Sequence, residues 1–324
     1  AASEMIYPLI PIFVAALGSG ALLLGVIEGI AETTASLLKL FSGVMSDKLQ
    51  KRKLLVLIGY TISSLIRPFT GLVSAAWQIV FIRMLDRVGK GIRTAPRDAL
   101  IAASIKENQR GLAFGFHRAM DHLGAVIGPI LALLSLLIMF IGFRQHDWLL
   151  NLRWTFILSL IPGLAAVWII IFRVQEKQES FTEKKTLSLS FRQFDKNFLT
   201  YLFILFLFTL GNSSDVFLLF RVEEAIKQSG ALYDLLCRIP LLNDLINSYG
   251  DQQSQTQLVN ILFLPLLWAF FHIIKALFST PLGALSDKIG RKRVIITGWG
   301  IYALVYFAFA LLDQLPGDWQ IGGT

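Results

Sequence analysis

The feature that most constrains this chain is a run of apolar stretches, each long enough to cross a bilayer as a helix. Crossing the hydrocarbon takes about 20 mostly apolar residues, and only helices or closed barrels satisfy their backbone groups there. Nine stretches qualify, at roughly 1–17, 21–42, 54–75, 77–98, 111–140, 153–172, 198–220, 257–281 and 294–313. The residues are 55% hydrophobic and only 16% charged, with mean hydropathy +0.62. Soluble domains carry about a quarter charged residues, so an ordinary soluble fold is excluded. The predicted fold class is an all-α membrane protein.

The net charge of +8 does not point to nucleic acid, because the basic residues fall in short clusters between apolar stretches. Such clusters report topology, since Lys and Arg mark the cytoplasmic side. Lys48, Lys51, Arg52 and Lys53 follow the second stretch, Lys106 and Arg110 the fourth, Lys177, Lys184, Lys185, Arg192 and Lys196 the sixth, and Lys288, Arg291, Lys292 and Arg293 the eighth. The opposite connections hold Arg144 and Arg153, then Arg221, Lys227 and Arg238 in a longer segment. This asymmetry predicts a cytoplasmic N-terminus in a plasma membrane, the inner membrane of a bacterium. Residues 174–197 lack an apolar run and read as a cytoplasmic linker between a six-helix bundle, 1–173, and a second bundle, 198–324. Residues 222–256 read as an outer-face insertion. Its Leu232, Leu235, Leu236, Ile239, Leu242 and Leu245 predict an interfacial helix kinked by Pro240. The first stretch reaches about 26 Å at 1.5 Å per residue, so the chain is expected to begin inside its first span and to stop after its ninth.

A repeat appears at an offset of 240 residues. Gly43-Val-Met-Ser-Asp47-Lys48-Leu-Gln50-Lys51-Arg52-Lys53 matches Gly283-Ala-Leu-Ser-Asp287-Lys288-Ile-Gly290-Arg291-Lys292-Arg293, each after an even-numbered stretch. Internal duplication is common in transporter folds. An Asp at a helix end sits favourably on the positive N-terminus of a neighbouring helix, so Gly43, Asp47, Lys51 and Arg52, with Gly283, Asp287, Arg291 and Lys292, read as two copies of a latch. The plainer reading is that both Asp residues are solvated loop groups. The repeat resembles the signature loop of the major facilitator superfamily, with Gln50 where a turn Gly is usual. Arg83-Met-Leu-Asp86-Arg87-Val-Gly89-Lys-Gly91 resembles that family's fourth-span motif, and Gly124, Gly128 and Pro129 its Gly and Pro motif in the fifth. The resemblance implies two pseudo-symmetric bundles around a central cavity, about nine of an expected twelve spans. Pseudo-symmetry further places Asp287 near the start of the fifth span, around Gly111 to Ala113, and the partner of Asp47 in a span outside this sequence. Apart from the family, the Gly124 and Gly128 spacing is first a close-packing device between helices.

Ionisable groups inside apolar helices are costly unless paired or facing a cavity. Arg83, Asp86, Arg87, Lys90, Arg93 and Arg97 fall within an arc of about 120° on the fourth span. One reading is a cationic cavity wall, assigned to Arg83; the other is a snorkelling helix end, assigned to Arg93, Arg97 and Asp98. Arg67 beside Pro68 is expected to meet an acid. His117, Asp121 and His122 spread around their helix, so no metal site is expected, and Cys237 alone forms neither a disulfide nor a cysteine cage. Aligning the halves pairs Glu4 with Asp215 and Glu32 with His272, and Asn212 and Glu28 lie one turn before Asp215 and Glu32. These six, with Arg67 and Arg83, are the candidate coupling and substrate residues. Protonation of Glu4, Glu32, Asp215 and His272 is expected to follow the side to which the cavity opens, with Asn212 and Glu28 contacting substrate; the alternative is that these groups only pair to hold helices together.

No phosphate-loop or His-Glu-x-x-His sequence occurs, so no enzyme activity and no cofactor are expected. The reading is a monomeric secondary transporter moving a small-molecule solute by alternating access, coupled to protons. Its rival is a non-transporting sensor or a channel on the same scaffold.

Overall fold

The computed structural model describes residues 1–49, 51–106, 109–176, 195–211, 219, 234 and 236–311. Ten helical elements carry them: α1 (Ala2–Ala16), α2 (Ala21–Leu49), α3 (Arg52–Leu72), α4 (Ala76–Ala103), α5 (Arg110–Gly142), α6 (Trp148–Arg173), α7 (Lys196–Leu210), the short α8 (Pro240–Asn247), α9 (Gln252–Ile289) and α10 (Arg291–Leu311). Among the described residues α2, α3, α5, α6 and α9 are long and apolar enough to cross a membrane. The α4 helix falls short on composition because it carries the six charges in its inner half. Four of them, Arg83, Asp86, Arg87 and Lys90, are paired with charges inside the protein, as shown below. Asn212, Asp215, Gln50, most of 174–197 and much of 222–256 lie outside the described residues.

Local chemistry sets the ends. Pro8 and Pro11 remove two amide donors from α1, and a 3-10 turn at Tyr7–Leu9 takes up the break. Asp147 accepts from the Leu150 amide at 3.0 Å to open α6, and Asp251 accepts from the Ser254 amide at 2.7 Å to open α9. The Gln78 side chain folds back onto the Ala75 amide at 3.1 Å to open α4. Between α9 and α10, Gly290 has φ of 91°, a left-handed turn that only glycine adopts without strain. Pro240 does not kink a helix as the sequence predicts. It stands at the first position of α8, where its missing amide costs nothing. Nor does α8 merely float at the interface, for Leu245 and Ile246 are buried in the main apolar core.

Helix α5 runs along α9, α2 along α4, and α3 packs between α4 and α6. The core fills one end of this assembly with Leu9, Ile10, Phe13, Leu136, Phe140, Phe156, Leu258 and Leu262. Trp77, Phe116, Phe270 and Phe278 are exposed around the outside, where lipid is the solvent.

Candidate functional site

Two polar regions stand out from the apolar helices. The first lies between α2, α3 and α4. Gly59 and Gly89 bring α3 and α4 so close that a Cβ on Gly59 would stand 2.5 Å from the Gly89 carbonyl oxygen. At that separation Arg67 Nε reaches Asp86 Oδ1 at 2.9 Å, with Asp86 1% exposed. On the other flank Arg83 Nη2 donates to Glu28 Oε1 at 2.6 Å and Nη1 stands 3.8 Å from Asp86 Oδ2. One turn on, Glu32 Oε1 takes Arg87 Nη2 at 3.2 Å and Lys90 Nζ at 3.3 Å. Bonds from Ser42 to the Gly91 carbonyl and from Ser63 to the Asp86 carbonyl fix α4 against its neighbours. A buried charge stripped of its partner costs several kcal/mol, so these residues act as one unit. The guanidinium of Arg93 instead stacks on the Tyr60 ring, 4.1 Å from its centroid.

The second region is a seam joining α1 and α5 to α9. At one end it extends to the connections, where the Tyr249 hydroxyl, between α8 and α9, donates to the carbonyl of His146, between α5 and α6, and Ser248 Oγ lies 3.4 Å from His146 Nδ1. Burial there pushes the Tyr249 phenol up to about 12. In the middle Trp268 Nε1 donates to Glu4 Oε2 at 2.9 Å, and the rings of His122 and His272 face each other at 5.2 Å. At the end carrying the basic loops, the Gly111 and Leu112 amides donate to Asp287 Oδ1 and Oδ2 at 3.0 and 2.9 Å. A carboxylate on two free amides of a helix N-terminus is a favourable cap and a favourable dipole contact. Glycines admit it: a Cβ on Gly283 would meet the Gly111 carbonyl oxygen at 2.5 Å and the Gly115 Cα at 2.9 Å.

The structure thus brings Glu28, Glu32, Arg67 and Arg83 into the first region, and Glu4, His272, Gly283 and Asp287 onto the seam. A Cβ on Gly128 would meet Glu4 Cβ at 2.8 Å, so this glycine seats α1 beside α5; Gly124 faces Ala1, and Pro129 is buried within α5. Gly43 packs loosely toward Ala95, and Asp47, Lys51, Arg291 and Lys292 are exposed. The Arg52 amide donates to Glu176 Oε1 at 2.7 Å. His117 pairs with Asp121 at 3.5 Å while His122 turns to α9, and the described residues hold no cluster of three metal-ligating side chains. Sequence reasoning did not assign Asp86, Arg87 and Lys90 to the site, although Glu28 and Glu32 match Arg83 and Arg87 in i, i+4 spacing with opposite sign. For Trp268, Tyr249 and Glu176 no sequence signal existed.

A family model described as Major Facilitator Superfamily matches residues 1–236. An uncharacterized MFS-type transporter of Methanocaldococcus jannaschii is 33% identical over 95% of this chain and 68% of its own length. The Multidrug resistance protein MdtG of Escherichia coli is 24% identical over 97% of this chain and 68% of its own length. The Multidrug resistance protein MdtH of Photorhabdus laumondii is 27% identical over 52% of this chain and 39% of its own length.

Proposed function

Because this chain belongs to the major facilitator superfamily and is a multi-pass membrane transport protein, we propose that it moves a small solute by alternating access and draws on a proton gradient. The observation that carries this reading is the seam: polar and ionisable groups tie α1, α5 and the α5–α6 connection to α9 and the turn before it at three depths, while apolar surface fills the spaces between. Ties of this kind are individually weak enough to exchange, and a two-state interface is what alternating access needs. Glu4 and His272 at mid-depth are the coupling groups, with Asp215 and Asn212 as their counterparts in the second half. Glu28, Glu32, Arg67 and Arg83 hold the inner wall of the first half, where the solute docks. Gly43, Asp47, Lys51 and Arg52, with Gly283, Asp287, Arg291 and Lys292, form the two latches on the cytoplasmic side. Residues 1–173 and 198–324 are the moving bundles, the N-terminus is cytoplasmic, and the protein works as a monomer in a plasma membrane.

Reconstituted vesicles test the proposal. Uptake is followed for a panel of organic anions, drug-like cations and sugars with and without an imposed pH gradient. Saturable accumulation driven by the gradient, and lost on Glu4→Gln, supports it. Non-saturable flux would favour a channel, and no flux of any panel member above protein-free vesicles would favour a sensor.

A further inference from the structure

From α9, Trp268 reaches across the seam to α1. Its ring is 5% exposed and lies among aromatic neighbours, with centroids 5.0 Å from Tyr7 and 4.6 Å from His272. Those neighbours leave the indole one polar outlet, its N–H, which donates to Glu4 Oε2 at 2.9 Å. Glu4 Oε1 accepts from Ser3 Oγ at 3.1 Å, so among the described residues the carboxylate meets one donor from its own helix and one from across the seam. Gly128 holds α1 from behind and fixes the carboxylate within reach of α9. Other charged or titratable groups facing this junction are Asp121 and His122 on α5, Arg83 on α4 over the Tyr7 ring, and His272 and Lys275 on α9.

We infer that Trp268 is the positioning residue through which the protonation state of Glu4 sets how firmly α1 is bound to α9. This rests on the proposed role of Glu4 in proton coupling and adds the part that converts a proton into a change at the interface. An indole N–H only donates, and a bond to an ionised acceptor is roughly twice as strong as one between neutral groups. Protonation of Glu4 therefore weakens a direct hydrogen bond between α1 and α9 at mid-depth. A ligand shifts a two-state equilibrium only by its differential affinity for the two states, and here the proton has one. By reciprocity the parted arrangement favours the proton as much as the proton favours parting.

The test measures distance, so it needs no substrate. Spin labels are placed on Phe143→Cys and Leu241→Cys, exposed positions at the ends of α5 and in α8, in a Cys237→Ser background, and the full chain is reconstituted. In the parent protein the distance distribution is expected to shift on acidification, as Glu4 takes up its proton. Trp268→Phe keeps an aromatic ring and removes the N–H, and should show the acid distribution at every pH. Glu4→Gln, which keeps Trp268 and cannot ionise, should do the same, and the double variant should add nothing. If Glu4→Gln abolishes the pH response and Trp268→Phe retains it, the role of Trp268 is overturned while Glu4 stands. If Glu4→Gln retains the parent response, the coupling role of Glu4 fails and the inference with it.

Discussion

The two copies of the Gly-x-x-x-Asp signature share a sequence and differ in what they touch. Asp287 closes on the Gly111 and Leu112 amides, and its helix is pressed into α5 by glycine on both sides. Asp47 makes no such contact among the described residues, and a Cβ at Gly43 on its helix would meet Ala95 at an ordinary 3.7 Å. The first copy is steadied from elsewhere, by Glu176 on the Arg52 and Lys53 amides at 2.7 and 3.2 Å and by Lys53 Nζ on the Ile171 carbonyl. What the difference teaches is that the motif supplies a carboxylate at a helix end and no more. Within this chain α5 offers the second copy free amides and close glycines, while the helix that pseudo-symmetry assigns to Asp47 lies outside this sequence.

The sharpest way to break this comparison is a methyl group. Gly283→Ala drives Cβ into the backbone of α5, which cannot swing aside, and overpacking of that kind costs about 1–3 kcal/mol. Gly43→Ala should change stability by no more than about 0.5 kcal/mol. Thermal unfolding of the purified variants in detergent checks both, and equal effects would erase the distinction between the copies. Removing the carboxylates is the next test. Asp287→Ala gives up a two-amide cap and should cost about 1 kcal/mol, whereas Asp47→Ala should be close to neutral.

A smaller effect comes from a cap far from either copy. The hydrogen bond from the Ser254 amide holds the Asp251 carboxyl below its usual range. A carboxylate depressed on folding contributes stability that is present above its unfolded value and is lost as pH falls through the folded one. The start of α9 should therefore loosen only under acid conditions, below the ordinary carboxylate range. Amide exchange at Ser254 should show this, with protection lost at low pH and abolished at all pH values in Asp251→Ala.

Much of this was legible in the residues. The apolar stretches located the helices, because a bilayer leaves the backbone no alternative, though α2 and α9 run seven and eight residues past their predicted ends at 42 and 281. The pseudo-symmetry that the family resemblance implies placed Asp287 near Gly111 to Ala113. The α4 arc was visible as a charged face, but its partners were not, since a helical pattern shows which residues share a face and not which helix faces them. Pro240 misled for a related reason: a proline reads as a kink inside a helix and as a start at its first position, and only the backbone on its N-terminal side decides. Trp268 left no trace at all, because an indole in an apolar helix is indistinguishable from packing until a carboxylate is found 2.9 Å away.

The account turns on Asp287 holding the seam shut at the end that carries the basic loops, where Asp47 meets no helix amides among the described residues. Ser279 lies within that seam, its carbonyl beside Gly115. A single cysteine at Ser279→Cys, in the Cys237→Ser background, reports how often the seam opens through its rate of modification by a small water-soluble thiol reagent. Asp287→Asn should raise that rate several-fold over the parent and Asp47→Asn should leave it unchanged; equal rates in all three proteins would contradict the latch.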